Sequence, residues 1–202
     1  MSEVLVPSVR LARWVDNFAS RHGGVSLSVD DGALAGTAPD GSTFVARLPF
    51  AAAYDGPEDA AEVAVRATPP ESWGVLLVRK GGFAVARLAG ADLVDHKIGQ
   101  RHVQGRTKAG GQSQQRFARR RDNQARAAYE AAADHAARIL RAGPLVTGGD
   151  HAAVDEVLSD PRLARLGLVV VDPWLAVPDP RRAVLDQAVL DACAFRVTVH
   201  NA

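Results

Sequence analysis

The chain has 202 residues, 47% of them apolar and 23% charged, with a formal net charge of +1. That is enough to bury a core without staples. No run reaches the ~18 uncharged apolar residues of a membrane span, and the opening Met-Ser-Glu-Val-Leu-Val-Pro lacks the basic segment and apolar core of a signal peptide. A cytoplasmic globular protein is expected, with no membrane partner and as a monomer: one sizeable domain, or a compact domain with a smaller companion. Cys193 is the only cysteine, so one chain has neither an internal disulfide nor a cysteine-based zinc site. It is read as a buried, inert thiol in a strand over 192–197.

Residues 8–21 place Leu11, Trp14, Val15 and Phe18 at 3-4 spacing, with Ser8 as N-cap and Gly23-Gly24 as the stop, which predicts an amphipathic helix docked by its aromatic face. Alternation over 25–29 and 42–48, with the segment 33–38 set between them by Asp30-Asp31-Gly32 and Pro39-Asp40-Gly41, predicts an antiparallel meander. The Ala-, Pro- and acid-rich segment 51–72 reads as a connection holding about one helical turn. Strands follow over 73–79 and 83–88 around Lys80-Gly81-Gly82, and a third over 91–98. A long helix is predicted from Ser113, its N-cap, to Arg141, with Phe117, Ala125, Ala128, Tyr129, Ala132, Ala136, Ile139 and Leu140 as its apolar stripe and Gly143-Pro144 as its end. An α/β succession closes the chain: strand 145–147, helix 152–166, strand 168–171, helix 180–192 capped by Asp179, and strand 194–200. Trp14, Trp73 and Trp174 have apolar neighbours and are assigned to cores.

Charge is concentrated in one window. Between 101 and 126, Arg101, Arg106, Lys108, Arg116, Arg119, Arg120, Arg121 and Arg126 face Asp122 alone, so the rest of the chain is net acidic. A concentrated basic patch is the footprint of a polyanion, because neutralising phosphates releases counterions; the alternative is a solvated helix face. Arginine dominates the patch, and guanidinium suits phosphate forks and base stacking. Arg116, Arg119, Arg120 and Arg126 fall on a face other than the apolar stripe, so the helix can pack and still present cations.

Within this window Gly110-Gly111 alone reads as a surface turn. Glycine is also what a backbone needs when it must press against a substrate, and Gln112 offers an amide that orients a water without being a base. Asp95-His96-Lys97 and His102 precede the window and read as solvated or capping groups, with RNA contact as the alternative. Gly148-Gly149-Asp150-His151 lacks the lysine and hydroxyl residue of a phosphate loop, so Asp150 is taken as a helix N-cap. No metal site and no cofactor is expected.

Gly110-Gly111-Gln112-Ser113, followed by Arg116-Phe117-Ala118-Arg119 and Arg121, resembles the Gly-Gly-Gln loop and following helix of archaeal and eukaryotic class I release factors. The likeness covers about 73–200 and is strong over 105–126. The chain is too short for the codon-reading and C-terminal domains of those factors, and is more similar to the Vms-like release-factor homologues of ribosome-associated quality control, in particular their short actinobacterial branch. The resemblance implies an α/β fold of the release-factor middle-domain (ribonuclease-H-like) type, a mixed sheet with flanking helices, preceded by the helix and antiparallel strands of 1–72. The core is then 73–202, with the Gly-Gly-Gln loop at 105–113. It implies a ribosome-associated, codon-independent peptidyl-transfer-RNA hydrolase that acts in ribosome rescue on the large subunit. Gln112, Gly111 and Gly110 are the implied catalytic residues; Arg106, Lys108, Arg116, Arg119, Arg120 and Arg126 contact ribosomal or transfer RNA. Eukaryotic relatives with a Gly-Ser-Gln form cut the transfer-RNA end, so a phosphodiester is the alternative bond, and a non-catalytic RNA-binding module is the alternative to an enzyme.

Overall fold

The structure is a computed structural model that describes the backbone of residues 1–100 and 112–202 and, in the helix opening at Gln112, side chains from residue 126 onward. In chain order the described elements are β1 (Ser2–Val6), α1 (Leu11–His22), β2 (Ser26–Asp30), β3 (Ala33–Thr37), β4 (Thr43–Arg47), α2 (Ala60–Arg66), β5 (Trp73–Arg79), β6 (Gly82–Ala89) and β7 (Asp92–Gln100). Then come α3 (Gln112–Ile139), β8 (Gly143–Gly149), α4 (His151–Leu158), α5 (Pro161–Ala164), β9 (Leu168–Leu175), α6 (Arg182–Ala192) and β10 (Phe195–His200). They form two compact units, one of Met1–Pro70 with Val189–Ala202 and one of Glu71–Ala188.

The first unit is an antiparallel sheet in the order β1-β10-β4-β3-β2. The meander β2 to β4 is the one its alternation predicts: Phe44 and Ala46 of β4 point inward, between half-buried neighbours. Leu11, Val15 and Phe18 of α1 join Phe44, Phe195 and Val197 in the core. Gly23, at φ 77°, ends α1 in the left-handed conformation and donates its N–H to Ala19. Ser8 is not the N-cap: a 3-10 turn over Ser8–Arg10 precedes α1, which starts without a side-chain cap.

Two assignments change here. Residues 2–6, given no element from sequence, form β1, and 195–200, expected as the last strand of a 73–202 core, instead lie between β1 and β4. Both follow from pairings such as Ser2↔Val199 and Val197↔Ala46, made between residues far apart in the chain. Cys193 sits in the turn between α6 and β10 rather than in a strand. It is half-buried, and burial pushes its thiol up to about 11, leaving it protonated and unreactive at neutral pH.

The second unit holds a mixed sheet in the order β7-β6-β5-β8-β9, in which β5, β6 and β7 are antiparallel neighbours and β5, β8 and β9 run parallel. This is the ribonuclease-H-like arrangement, with helices flanking the sheet. β5 is buried on both faces, as its unbroken apolar run demands. Leu76, Val78 and Val85 pack with Ala132, Ala136 and Ile139 of α3 and with Val154 and Val157 of α4.

Element boundaries differ from those expected where proline and glycine intervene. The helix expected over 152–166 is two: α4 ends at Ser159, and α5 starts at Pro161 with the Asp160 carboxylate capping the Arg162 N–H. Gly143 and Pro144 do not merely stop α3; they begin β8, opposite Leu168 and Val169. Asp179 lies beside Arg79, 3.6 Å from Nε, while α6 starts at Arg182. Among the described residues no helix is long and apolar enough to cross a membrane.

Candidate functional site

Gln100 ends β7, the edge strand paired with β6, and Gln112 opens α3. The basic loop is therefore the connection between a sheet edge and a helix of 28 residues, about 42 Å long. Gly110, Gly111, Arg106, Lys108 and His102 fall in this connection, outside the described residues. Gln112 is the first residue of α3, and Arg116, Arg119 and Arg120 follow in its first turns. Spacing of three and four brings those three backbone positions to one side of the helix. Arg126 is exposed, whereas Ala128, Ala132, Ala133 and Ala136 are buried against the sheet. The small side chains of this stripe allow a close approach of α3 to β6 and β7.

The root of the loop is built by two glycines. Phe83 of β6 lies across Gly99 of β7, its register partner, so that a Cβ at Gly99 would run into the phenyl ring; a Cβ at Gly82 would meet the Gly99 carbonyl. Beside them is a groove of about 190 Å³ lined by Phe83, Lys97, Gln100, Ala128, Ala131 and His135, among others. The His135 ring stacks on Phe83, with centroids 5.7 Å apart. Arg138 Nη2 is 3.1 Å from His135 Nδ1; since arginine only donates, Nδ1 accepts and Nε2 carries the proton. Burial first, then the charges of Arg138 and Lys97, hold the imidazole below its ordinary range, against an opposing pull from Asp134. His135 is thus neutral at pH 7.

The sequence did not single out this groove, because its residues come from two strands and from a helix beyond the loop. His96 is exposed but engaged: its Nε2 lies 3.3 Å from Arg182 Nη1, and Arg182 also donates through Nε to Asp186 at 2.8 Å. Asp150 caps α4 as expected, accepting from the Ala153 N–H at 3.3 Å, and His151 stacks on Trp174 at 3.5 Å. Among the described residues no group of three His, Cys, Asp or Glu side chains is placed to hold a metal.

The carboxyl-terminal half of α3 is braced from α5. Arg162 Nη2 reaches Asp134 of α3 at 2.7 Å and Asp160 at 2.8 Å, while its Nε donates to Asp160 at 2.9 Å. The side-chain and backbone hydrogen bonds from Arg162 hold the Asp160 carboxyl at about 2, against an ordinary 3.8. The folded chain therefore binds fewer protons at this group than the unfolded one, and the stabilisation from the Asp160 carboxylate is present in full above about pH 4 and is lost as pH falls towards 2. Melting wild type and Asp160→Asn between pH 5 and pH 2 should show a stability gap that closes on acidification. A gap constant over that range would mean that the carboxylate charge contributes nothing.

Residues 71–198 match the family model described as Actinobacteria/chloroflexi VLRF1 release factor, acVLRF1. Among solved structures the chain is similar to one described as an archaeal protein, at 12% identity and a TM-score of 0.29, covering 77% of this chain and 50% of that one. It is also similar to Pelota from Archaeoglobus fulgidus, at 15% identity and a TM-score of 0.28, covering 94% of this chain and 62% of Pelota. The chain thus spans half to about three fifths of the length of these two proteins. No match is found among curated proteins. With most of its length matched by the family model, from the first strand of the mixed sheet into β10, the chain belongs to the Actinobacteria/chloroflexi VLRF1 family of release factors.

Proposed function

We propose that this protein is a codon-independent peptidyl-transfer-RNA hydrolase that frees stalled nascent chains on the large ribosomal subunit. The observation that carries the reading is Gly110-Gly111-Gln112 running straight into the Arg116-Phe117-Ala118-Arg119 helix, in a chain of a release-factor family. Because α3 starts at Gln112, the backbone N–H groups of Gln112, Ser113 and Gln114 have no partner inside the helix. They stand at the positive end of the helix dipole, an environment suited to an oxyanion.

In the reaction, water adds to the carbonyl carbon of the ester joining peptide to ribose, and the bond from that carbon to the ribose oxygen breaks. The peptide leaves as a carboxylic acid, and one proton of the water ends on the released ribose oxygen, which becomes a hydroxyl. Gln112 orients the water through its side-chain amide, and its backbone N–H faces the developing oxyanion, while Gly110 and Gly111 allow the backbone to approach. Ribosomal RNA and the ribose supply the remaining groups, so the isolated protein is nearly inert.

The test is to load large subunits with peptidyl-transfer RNA, add the protein and identify the products. Free peptide with a rechargeable acceptor end supports hydrolysis of the ester; a shortened transfer RNA gives the nuclease reading, and intact substrate with salt-sensitive binding gives the module. Arg119→Ala with Arg120→Ala should weaken subunit binding and make log K less steep in log salt by about 1.5 to 2, near one per lost phosphate contact. Unchanged binding across a salt titration removes these two residues from the interface.

A further inference from the structure

The first unit carries its own basic surface, separate in sequence from the loop and almost wholly outside the residues matched by the family model. Arg10, Arg13, Asn17 and Arg21 recur at three- and four-residue intervals and so line one side of α1 and the turn before it. Arg10 to Arg21 spans about 16 Å along the axis. Asp16, the helix's one acid, falls by the same spacing on the far flank of Arg13. Arg10, Arg13 and Arg21 are exposed and take part in no ion pair among the described residues, whereas Arg47 and Arg196 of the same unit stand beside Asp31 and Glu3.

This arginine row borders two neighbouring grooves. One, of about 510 Å³, has Val6, Pro7, Arg10, Arg13, Trp14 and Asn17 in its lining; the other, of about 430 Å³, includes Val4, Trp14, Asn17, Arg21 and Val199. Trp14 and Asn17 line both. The indole is half-buried, with its inner side fixed by Phe18 at 5.8 Å and by an edge-to-face contact with Phe44 at 5.1 Å. What remains exposed is a rigid aromatic surface beside an amide and three guanidinium groups, in concave ground. We propose that this side of α1 binds RNA with unpaired bases: arginines on successive phosphates, a base against Trp14, and Asn17 on a base edge. Guanidinium forks suit phosphate oxygens, and aromatic stacking accepts any base. An acidic protein segment would match the charge but would leave the indole and the grooves without a role.

This surface is independent of the hydrolysis reading, since its test involves no chemistry. Binding of the full chain to a fluorescein-labelled single-stranded RNA is followed by anisotropy over a salt series, for wild type and for Arg10→Ala/Arg13→Ala/Arg21→Ala. The triple variant should bind roughly tenfold more weakly at moderate salt, with a slope of log K against log salt shallower by about two. The corresponding arginine-to-lysine variant should restore the slope. Unchanged affinity and slope in the alanine variant overturn the proposal, as does a loss of binding confined to a poly-glutamate probe. Ultraviolet cross-linking of the wild-type chain reads the same surface without a substitution. A nucleotide on the peptide containing Trp14 supports the assignment, and cross-links confined to the region of α3 overturn it.

Discussion

Gln112→Ala is expected to slow peptide release from loaded large subunits by about 10²-fold, the usual cost of leaving one reactant, here the attacking water, out of position. The change takes away the side-chain amide and keeps the backbone N–H, so a residual rate should persist. Alanine is a better helix former than glutamine, and the substitution at the first residue of α3 leaves the helix able to form. Subunit binding should therefore be retained, because the arginines proposed to contact phosphate lie elsewhere in the chain. The discriminating measurement is single-turnover release at saturating protein, which separates chemistry from binding. A variant that releases peptide at the wild-type rate would exclude Gln112 from positioning the water.

Ile139→Ala should have the largest effect on stability, about 2–5 kcal/mol, the range for truncating a fully buried aliphatic side chain. Ile139 is 0% exposed and closes α3, in the core cluster with Leu76, Val85, Leu140 and Leu145. The Ala132 and Ala136 stripe preceding it buries little area per residue, so the hold of α3 on the sheet falls heavily on Ile139 and Leu140. Denaturant unfolding should show a lower midpoint with nearly the same slope. In the cold, where most molecules remain folded, release per folded molecule should stay close to wild type, since no group that touches substrate has changed. A stability loss under 1 kcal/mol would mean that the core closes over the shortened side chain and that Ile139 is not an anchor of α3.

Much of this architecture could be read from local sequence. The hairpin of β5 and β6 follows from two apolar runs around Lys80-Gly81-Gly82, and the meander from the alternation of β2 and β4 and the Asp-Gly and Pro-Asp-Gly turns on either side of β3. What escaped was non-local or lightly marked. β1 is five residues with one fully buried, too weak a pattern to declare a strand without its partner. The sheet that β10 joins is decided by edges supplied about 150 residues earlier. By contrast, the break between α4 and α5 was written plainly as Ser159-Asp160-Pro161, a cap followed by a first-turn proline. For the site, the sequence alone names the loop residues, since glycine, glutamine and arginine carry their chemistry in their identities. It could not reveal the groove at the loop's root, where Phe83, Lys97 and His135 meet through sheet register and helix packing.

The position of β10 sets an order on how the molecule is made. Ribosomes thread a chain out from its amino end, so residues 2–47 emerge long before 195–200, and until then β1 lacks the strand it pairs with and β4 has one side bare. Over that interval the first unit offers two open strand borders, the kind of surface that recruits other chains or chaperones. The mixed sheet of Glu71–Ala188 draws all its strands from one continuous stretch and can assemble in the meantime. A nonsense mutation between 188 and 195 would consequently spare the unit that follows Pro70 while leaving the amino-terminal one unfinished.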